Sequence, residues 1–382
     1  MNRDSKQSTV IKPAESSVEE VGIRSELTIY TESRDLFFGG FEVAFLDFNN
    51  KFSNASNTLR TYSASEAEVW AWIRHQRTFG RLKADIGLHS DVGSLFGRSL
   101  SLQALQPRLT LSYHVADMWR IRGSYGAFNQ NVITISNEDD VISLFEAWIY
   151  VPDDLKPEEA HHVVLGVDGN VIPELGVSLQ AYHKAYTSLV LYNREKIFPT
   201  DPDFVNGTGK ARGIEAMIRF LLNPLDLSLA YTLGWTTVSA NGFSYAPRYD
   251  RRHTVNVLGT LRILENFDVA LRWEYGSGYP FSKTVAYYDR LTFGGIGAEP
   301  VYGGIGQQYS ILGPKNAARL PSYHRLDAGI TYRFAVRSMN GSIGISLINL
   351  YDNKNILYYD RKTGQRIDML RFFPSATLTV GF

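Results

Sequence analysis

Residues 225–235, LDLSLAYTLGW, alternate without a break. Leu225, Leu227, Leu229, Tyr231, Leu233 and Trp235 fall on one side of an extended chain. Asp226, Ser228, Ala230, Thr232 and Gly234 fall on the other. Successive strand residues point to opposite faces, so this stretch is a two-faced strand. DVALRWEYG repeats the pattern, with Val269, Leu271, Trp273 and Tyr275 against Asp268, Ala270, Arg272 and Glu274. RLDAGITYRF repeats it again, and RLTLSYH, WRIRGSYGAF, GRLKADIGLH and RGIEAMIRF follow suit. A soluble sandwich would turn the apolar face to a core, whereas a membrane barrel turns it to lipid and lines its lumen with the polar face. Three features favour the membrane barrel. Aromatics gather near strand ends at Trp235, Tyr275, Tyr332 and Phe334. The other face carries charge, Gly and Ser. Each span is about ten residues, the length of a tilted transmembrane strand.

The connections sort in the same sense. Short ones at 222–224, 264–266 and 335–340 alternate with long ones near 129–159, 237–250, 279–322 and 351–369. Outer-membrane barrels have short periplasmic turns and long extracellular loops. The fold class expected is therefore all-β, an antiparallel transmembrane β-barrel of about 15–16 strands. The barrel is expected over 23–382, behind a polar segment at 1–22. No apolar run approaches the roughly 18 residues of a membrane helix, and MNRDSKQSTVIKPAESSVEE lacks the apolar core of a secretory signal. Basic and acidic residues balance at 39 each, which gives no bulk attraction for nucleic acid. There is no cysteine, so disulfides and thiolate chemistry are excluded. The chain ends on FFPSATLTVGF, with Ala376, Leu378, Val380 and Phe382 on one face.

Several stretches together resemble the TonB-dependent outer-membrane receptors. They are LKPEEAHHVVLGVD, GVSLQAYHKAYTSLVLYN, GKARGIEAMIRF, YAPRYDRRHTVNVLGTL, WEYGSGYPF, RLPSYHRLDAGITYRF and SLINLYDNKNI, in the family's order. The resemblance implies nutrient uptake across the outer membrane, without catalysis or a resident cofactor. It implies a wall of about 22 strands. An odd set near fifteen cannot close antiparallel, so about seven strands and the plug are expected upstream in a longer protein. Implied partners are outer-membrane lipid, the plug with its N-terminal strands, the TonB complex, an unidentified nutrient ligand, and the barrel-assembly machinery reading Phe382. A passive porin and a Sus-type glycan importer are the alternatives.

Candidate residues fall into three groups. Arg120, Arg122, Glu215, Arg219, Arg262, Arg272, Glu274, Arg325, Asp327 and Arg333 share the polar face and are expected to pair with each other, contact a plug or guide a polar ligand. The 279–322 loop offers Tyr279, Phe281, Tyr287, Tyr288, Arg290, Tyr302, Gln307 and Tyr309, whose rigid area and polar tips suit ligand capture. Tyr249, Asp250, Arg251, Arg252 and His253 form the densest polar cluster. It is expected to be structural, with Asp–Arg pairing and a His hydrogen bond fixing a loop base. His161 and His162 are adjacent and point to opposite faces, so a shared metal ion is not expected.

Overall fold

A computed structural model of the chain describes residues 15–31, 35–53, 59–94, 105–135, 147–193, 200–290, 307–360 and 364–381. Phe382 and Tyr302 lie outside the described residues. In chain order the strands are β1 (Glu15–Tyr30), β2 (Leu36–Ser53), β3 (Leu59–Phe79), β4 (Leu82–Ser94), β5 (Leu105–Ala116), β6 (Trp119–Gln130), β7 (Val132–Ile135), β8 (Ala147–Tyr150), β9 (Glu158–Ile172), β10 (Leu175–Tyr192), β11 (Phe204–Leu222) and β12 (Leu225–Ala240). They continue as β13 (Phe243–Tyr245), β14 (His253–Leu264), β15 (Phe267–Gly276), β16 (Pro280–Phe281), β17 (Thr284–Arg290), β18 (Gln307–Leu312), β19 (Ala318–Arg319), β20 (Tyr323–Val336), β21 (Met339–Ile348), β22 (Ile356–Tyr359), β23 (Arg366–Asp368) and β24 (Phe373–Gly381).

One 16-stranded sheet forms the wall, in the order β1-β2-β3-β4-β5-β6-β9-β10-β11-β12-β14-β15-β20-β21-β24, with β13 attached to β12. Neighbours are antiparallel throughout, so β1 and β24 point the same way, and each has one sheet neighbour among the described residues. Connections at 80–81, 117–118, 173–174, 223–224, 265–266 and 337–338 are two residues long and all lie at one end. Gly80 opens the first of them at φ +57°, a conformation a two-residue hairpin favours and a side chain resists. The long connections 131–157, 193–203, 241–252, 277–322 and 349–372 all lie at the other end.

Register carries the two faces across the wall. Leu179, Ala216 and Tyr231 form one row, and Val257, Trp273 and Leu326 form another. These rows belong to the convex face, where Ile23 is 74 %, Leu378 66 % and Leu165 62 % exposed. An apolar face of this extent needs lipid against it. The backbone meets the same demand, because every wall strand except β1, β24 and the short β13 is bonded on both sides.

Three expectations change. The first strand starts at Glu15, not near residue 23. ESSVEEVG pairs along β2 from Lys51 to Ala44, and Lys51 Nζ lies 3.3 Å from the Glu15 carboxylate. Ladder bonds need backbone, not apolar side chains, which is why a polar stretch passed for a loop. The connection expected at 335–340 shrinks to 337–338. The long loops also carry strands of their own, in the hairpins β7–β8, β17–β18 and β22–β23 and the pair β16–β19.

The hairpin β7–β8 holds the clearest apolar packing. Ile133, Ile149, Val151 and Val190 bury together beside Tyr62, Leu155 and Phe204. Tyr150 packs with Leu46 and Phe48. Leu46 and Phe48 stand on the concave side of β2, where bare apolar side chains would face water; the hairpin covers them. Asn50 donates to the Trp148 carbonyl at 2.6 Å, and the Tyr62 hydroxyl donates to the Tyr150 carbonyl at 2.7 Å. Asn131 donates to Glu68 at 2.8 Å and Asp91 at 2.7 Å, all three buried.

Candidate ligand-binding mouth and charged wall

The concave face is a field of paired charges. Arg120 meets Asp168 at 2.6 Å, Arg219 meets Asp226 at 3.4 Å, and Arg325 meets Asp327 at 2.8 Å. Arg262 and Arg333 flank Asp268 at 3.4 and 2.5 Å. Arg272 pairs with Glu274, and Gln180 donates to Glu215. The alternation explains this layout, because antiparallel register sets opposite charges side by side on one face. Of the residues expected on this face, Arg122 differs: it lines a cavity of about 190 Å³ with Arg74, Asp85 and Arg120. A larger cavity, about 690 Å³, lies over β1–β5 and includes Trp70, Trp72, Phe38 and His89. There the Arg24 guanidinium stacks 4.8 Å from the Trp72 ring centre.

At the long-loop end the YDRRH cluster divides three ways. Asp250, 2 % exposed, accepts the Thr236 N–H at 2.8 Å and pairs with Arg319. Arg319 also donates to the carbonyls of Asp250 and Gly278, both at 3.1 Å. The Asp–Arg pairing therefore reaches across 69 residues of sequence, not within the cluster. His253 Nδ1 lies 2.9 Å from the Tyr231 hydroxyl on the convex side, and its N–H donates to Ser277. Arg252 lies 5.0 Å from the Trp235 ring centre.

Arg251 points the other way, over the concave face. Its guanidinium lies 4.1 Å from the Tyr279 ring centre and 5.5 Å from that of Tyr323. Gly276 makes room, since a Cβ there would come within 2.4 Å of Arg251 Cζ. Gly276 and Tyr323 are register partners on β15 and β20, so the sheet itself builds this slot. No described carboxylate lies within 4.0 Å of Arg251, and its Nε has no hydrogen-bond partner. The Tyr323 hydroxyl donates to Glu274 at 3.2 Å. The result is a cation held between two tyrosines, with no carboxylate of the described residues within 4.0 Å of it.

Of the loop candidates whose side chains are described, Tyr279 alone joins this cluster. Phe281 sits on β16, 6.1 Å from the Tyr359 ring. Tyr287 stands on the hairpin β17–β18. There Tyr288 is opposite Tyr309 and Arg290 opposite Gln307; only their strand register is described. Tyr323 was not singled out by sequence, and Arg251 was read as structural. The signal that could have joined them is Gly276, just before Ser277-Gly278-Tyr279-Pro280 in WEYGSGYPF, which is the register partner of Tyr323 on β20. His161 bonds the Tyr125 hydroxyl at 2.9 Å and His162 packs on Phe128, so the two do not share a ligand. Among the described residues no group of three or more His, Asp or Glu could hold a metal ion.

Comparison with known proteins adds the family. Residues 9–350 match the family described as TonB dependent receptor-like, beta-barrel. No curated protein matches the chain in sequence. Among solved structures, a variant of the ferric enterobactin receptor PfeA from Pseudomonas aeruginosa is similar with a TM-score of 0.61 at 13 % identity, covering 96 % of this chain and 54 % of that one. The siderophore receptor PirA from Acinetobacter baumannii gives 0.60 at 14 %, covering 96 % and 55 %. The ferric citrate transporter FecA gives 0.61 at 12 %, covering 96 % and 55 %. Identity this low speaks for the fold alone. The chain spans about half the length of these structures.

Proposed function

Because the chain belongs to the TonB-dependent receptor-like β-barrel family, we propose that it forms part of the outer-membrane wall of a receptor that imports an anionic ferric chelate. Barrels of this family sit in the outer membrane and are receptors, not enzymes. The observation that carries the ligand reading is Arg251, lodged between Tyr279 and Tyr323 with no carboxylate of the described residues within 4.0 Å. A guanidinium at the mouth attracts anionic oxygen, and flanking phenols offer donors and flat contact area. The neighbours point the same way in name: ferric enterobactin and ferric citrate are what PfeA and FecA are titled for.

The remaining parts follow as proposals. β1 and β24 run in one direction, so closure needs an odd number of further strands between them, supplied outside the described residues. A plug fits against the charged concave face. The TonB complex supplies energy through that plug, and the barrel-assembly machinery reads the terminal strand. The passive-porin and glycan-importer readings have no observation of their own here.

The test is uptake of ⁵⁵Fe as ferric citrate and as ferric enterobactin by cells making the whole protein, with and without a protonophore. Energy-dependent uptake of at least one chelate is expected. The Arg251→Gln variant should bind that chelate about tenfold more weakly, the loss of one charge-assisted contact. Uptake of neither chelate, or uptake that survives the protonophore, overturns the import reading. Unchanged binding by the variant overturns the role of Arg251.

A further inference from the structure

A second group of cations lies on the convex face, just above the apolar band. On β11, Arg212 stands opposite His183 of β10 and Trp235 of β12. Lys210 stands one step further toward the long loops, and Ile214 and Leu233 form the apolar row one step below. Arg252 comes in from the start of β14. Its guanidinium lies 5.0 Å from the Trp235 ring centre, and that of Arg212 lies 5.9 Å from it. Trp235 thus carries two guanidiniums. Lys210, Arg212 and His183 are exposed. Among the described residues none of Lys210, Arg212 or Arg252 has a carboxylate within 4.0 Å. Asp250, two residues before Arg252, is bound by Arg319.

We infer that Lys210, Arg212 and Arg252, arranged around Trp235, form a binding site for the phosphate of an anionic lipid headgroup in the outward leaflet. The inference rests on the outer-membrane reading above. Level and chemistry both lead to it. Cations at the border of the hydrocarbon lose water on their lower side and gain most from an anion at the same depth. Phosphate meets the planar arginine fork bidentately and lysine as a point charge. Both guanidiniums lie within cation–π reach of the indole, which holds the two cations near one another before the headgroup arrives. Tryptophan itself favours this interfacial level. A phosphate carried by a lipid reaches the site laterally, from the side that the convex face presents.

Native mass spectrometry of the whole protein in mild detergent tests this, with phosphatidic acid and phosphatidylcholine of the same acyl chains as probes and inorganic phosphate as competitor. Wild type should retain phosphatidic acid about tenfold over phosphatidylcholine, and the K210Q/R212Q/R252Q variant should lose that preference. The exposed single variant Lys210→Gln, which leaves the Trp235 stack intact, should lose part of it. The concave control Arg120→Gln should keep it. Equal retention of both lipids by wild type overturns the site, as does a triple variant that binds as wild type does. Displacement of the lipid by inorganic phosphate would make it a free-anion site and overturn the lipid assignment. These readouts do not depend on iron uptake, so failure here and failure of the import reading are separable.

Discussion

On the concave face Arg120 meets Asp168 and Arg333 meets Asp268; on the convex face Arg212 and Arg252 meet an indole and, among the described residues, no acid. One sheet places the same residue type in both settings. The difference lies in what each face touches. The concave face supplies acids from neighbouring strands to arginines such as Arg120 and Arg333. The convex face below Arg212 is apolar, and no described acid lies within 4.0 Å of the cations above it. Arg251 follows neither pattern, since it is concave but has no described carboxylate within 4.0 Å, and its Nε has no hydrogen-bond partner among the described residues.

The sharpest way to break this comparison is to put one charge on each face of β12. Leu229→Arg places a guanidinium in the apolar row and should cost about 2–4 kcal/mol of barrel stability, read by urea unfolding in lipid. Ser228→Arg, one residue away, points to the concave face and should cost about 1 kcal/mol or less, because water and acids are at hand. Equal costs would remove the distinction between the faces.

A smaller effect concerns the loop segment 349–372. Arg371 pairs with Asp352, its Nε 2.7 Å from the carboxylate, and the Phe372 N–H donates to the same group at 3.0 Å. The Arg371 bond, then that N–H, hold the Asp352 carboxyl down at about 2. A lowered carboxyl stabilises the folded loop above its ordinary range near 4 and loses that contribution as pH falls toward about 2. Protection of the 349–372 amides from hydrogen exchange should hold to pH about 4, weaken below it, and lose this dependence in Arg371→Met. A loop whose protection changes instead between pH 5 and 7 would contradict the assignment.

Much of the wall was legible because a strand's period needs no tertiary information. β12, β15 and β20 follow from alternation alone, as do their faces. The first half of β1 was not, because ESSVEEVG carries no apolar signal and is held by pairing with β2. The hairpin β7–β8 also escaped notice, although β2 held a clue. FEVAFLDF is apolar on both faces, and a strand apolar on both faces is covered on both. The mouth was half legible. Tyr279 stood out as an aromatic in a long loop, but its partnership with Arg251 and Tyr323 depends on the Gly276–Tyr323 register, and register is a tertiary fact. The bond from Arg319 to Asp250 is likewise invisible to local reading.

The account stands on two faces with one residue between them, and the cysteine-free sequence permits a direct measurement. Single cysteines from Leu225 to Trp235, spin-labelled in the whole protein in lipid, would be read for collision with oxygen and with a polar nickel chelate. Oxygen should dominate at Leu227, Leu229, Tyr231 and Leu233 and the chelate at Ser228, Ala230 and Thr232, switching at every residue. A period near 3.6, or one environment at all positions, would contradict the wall.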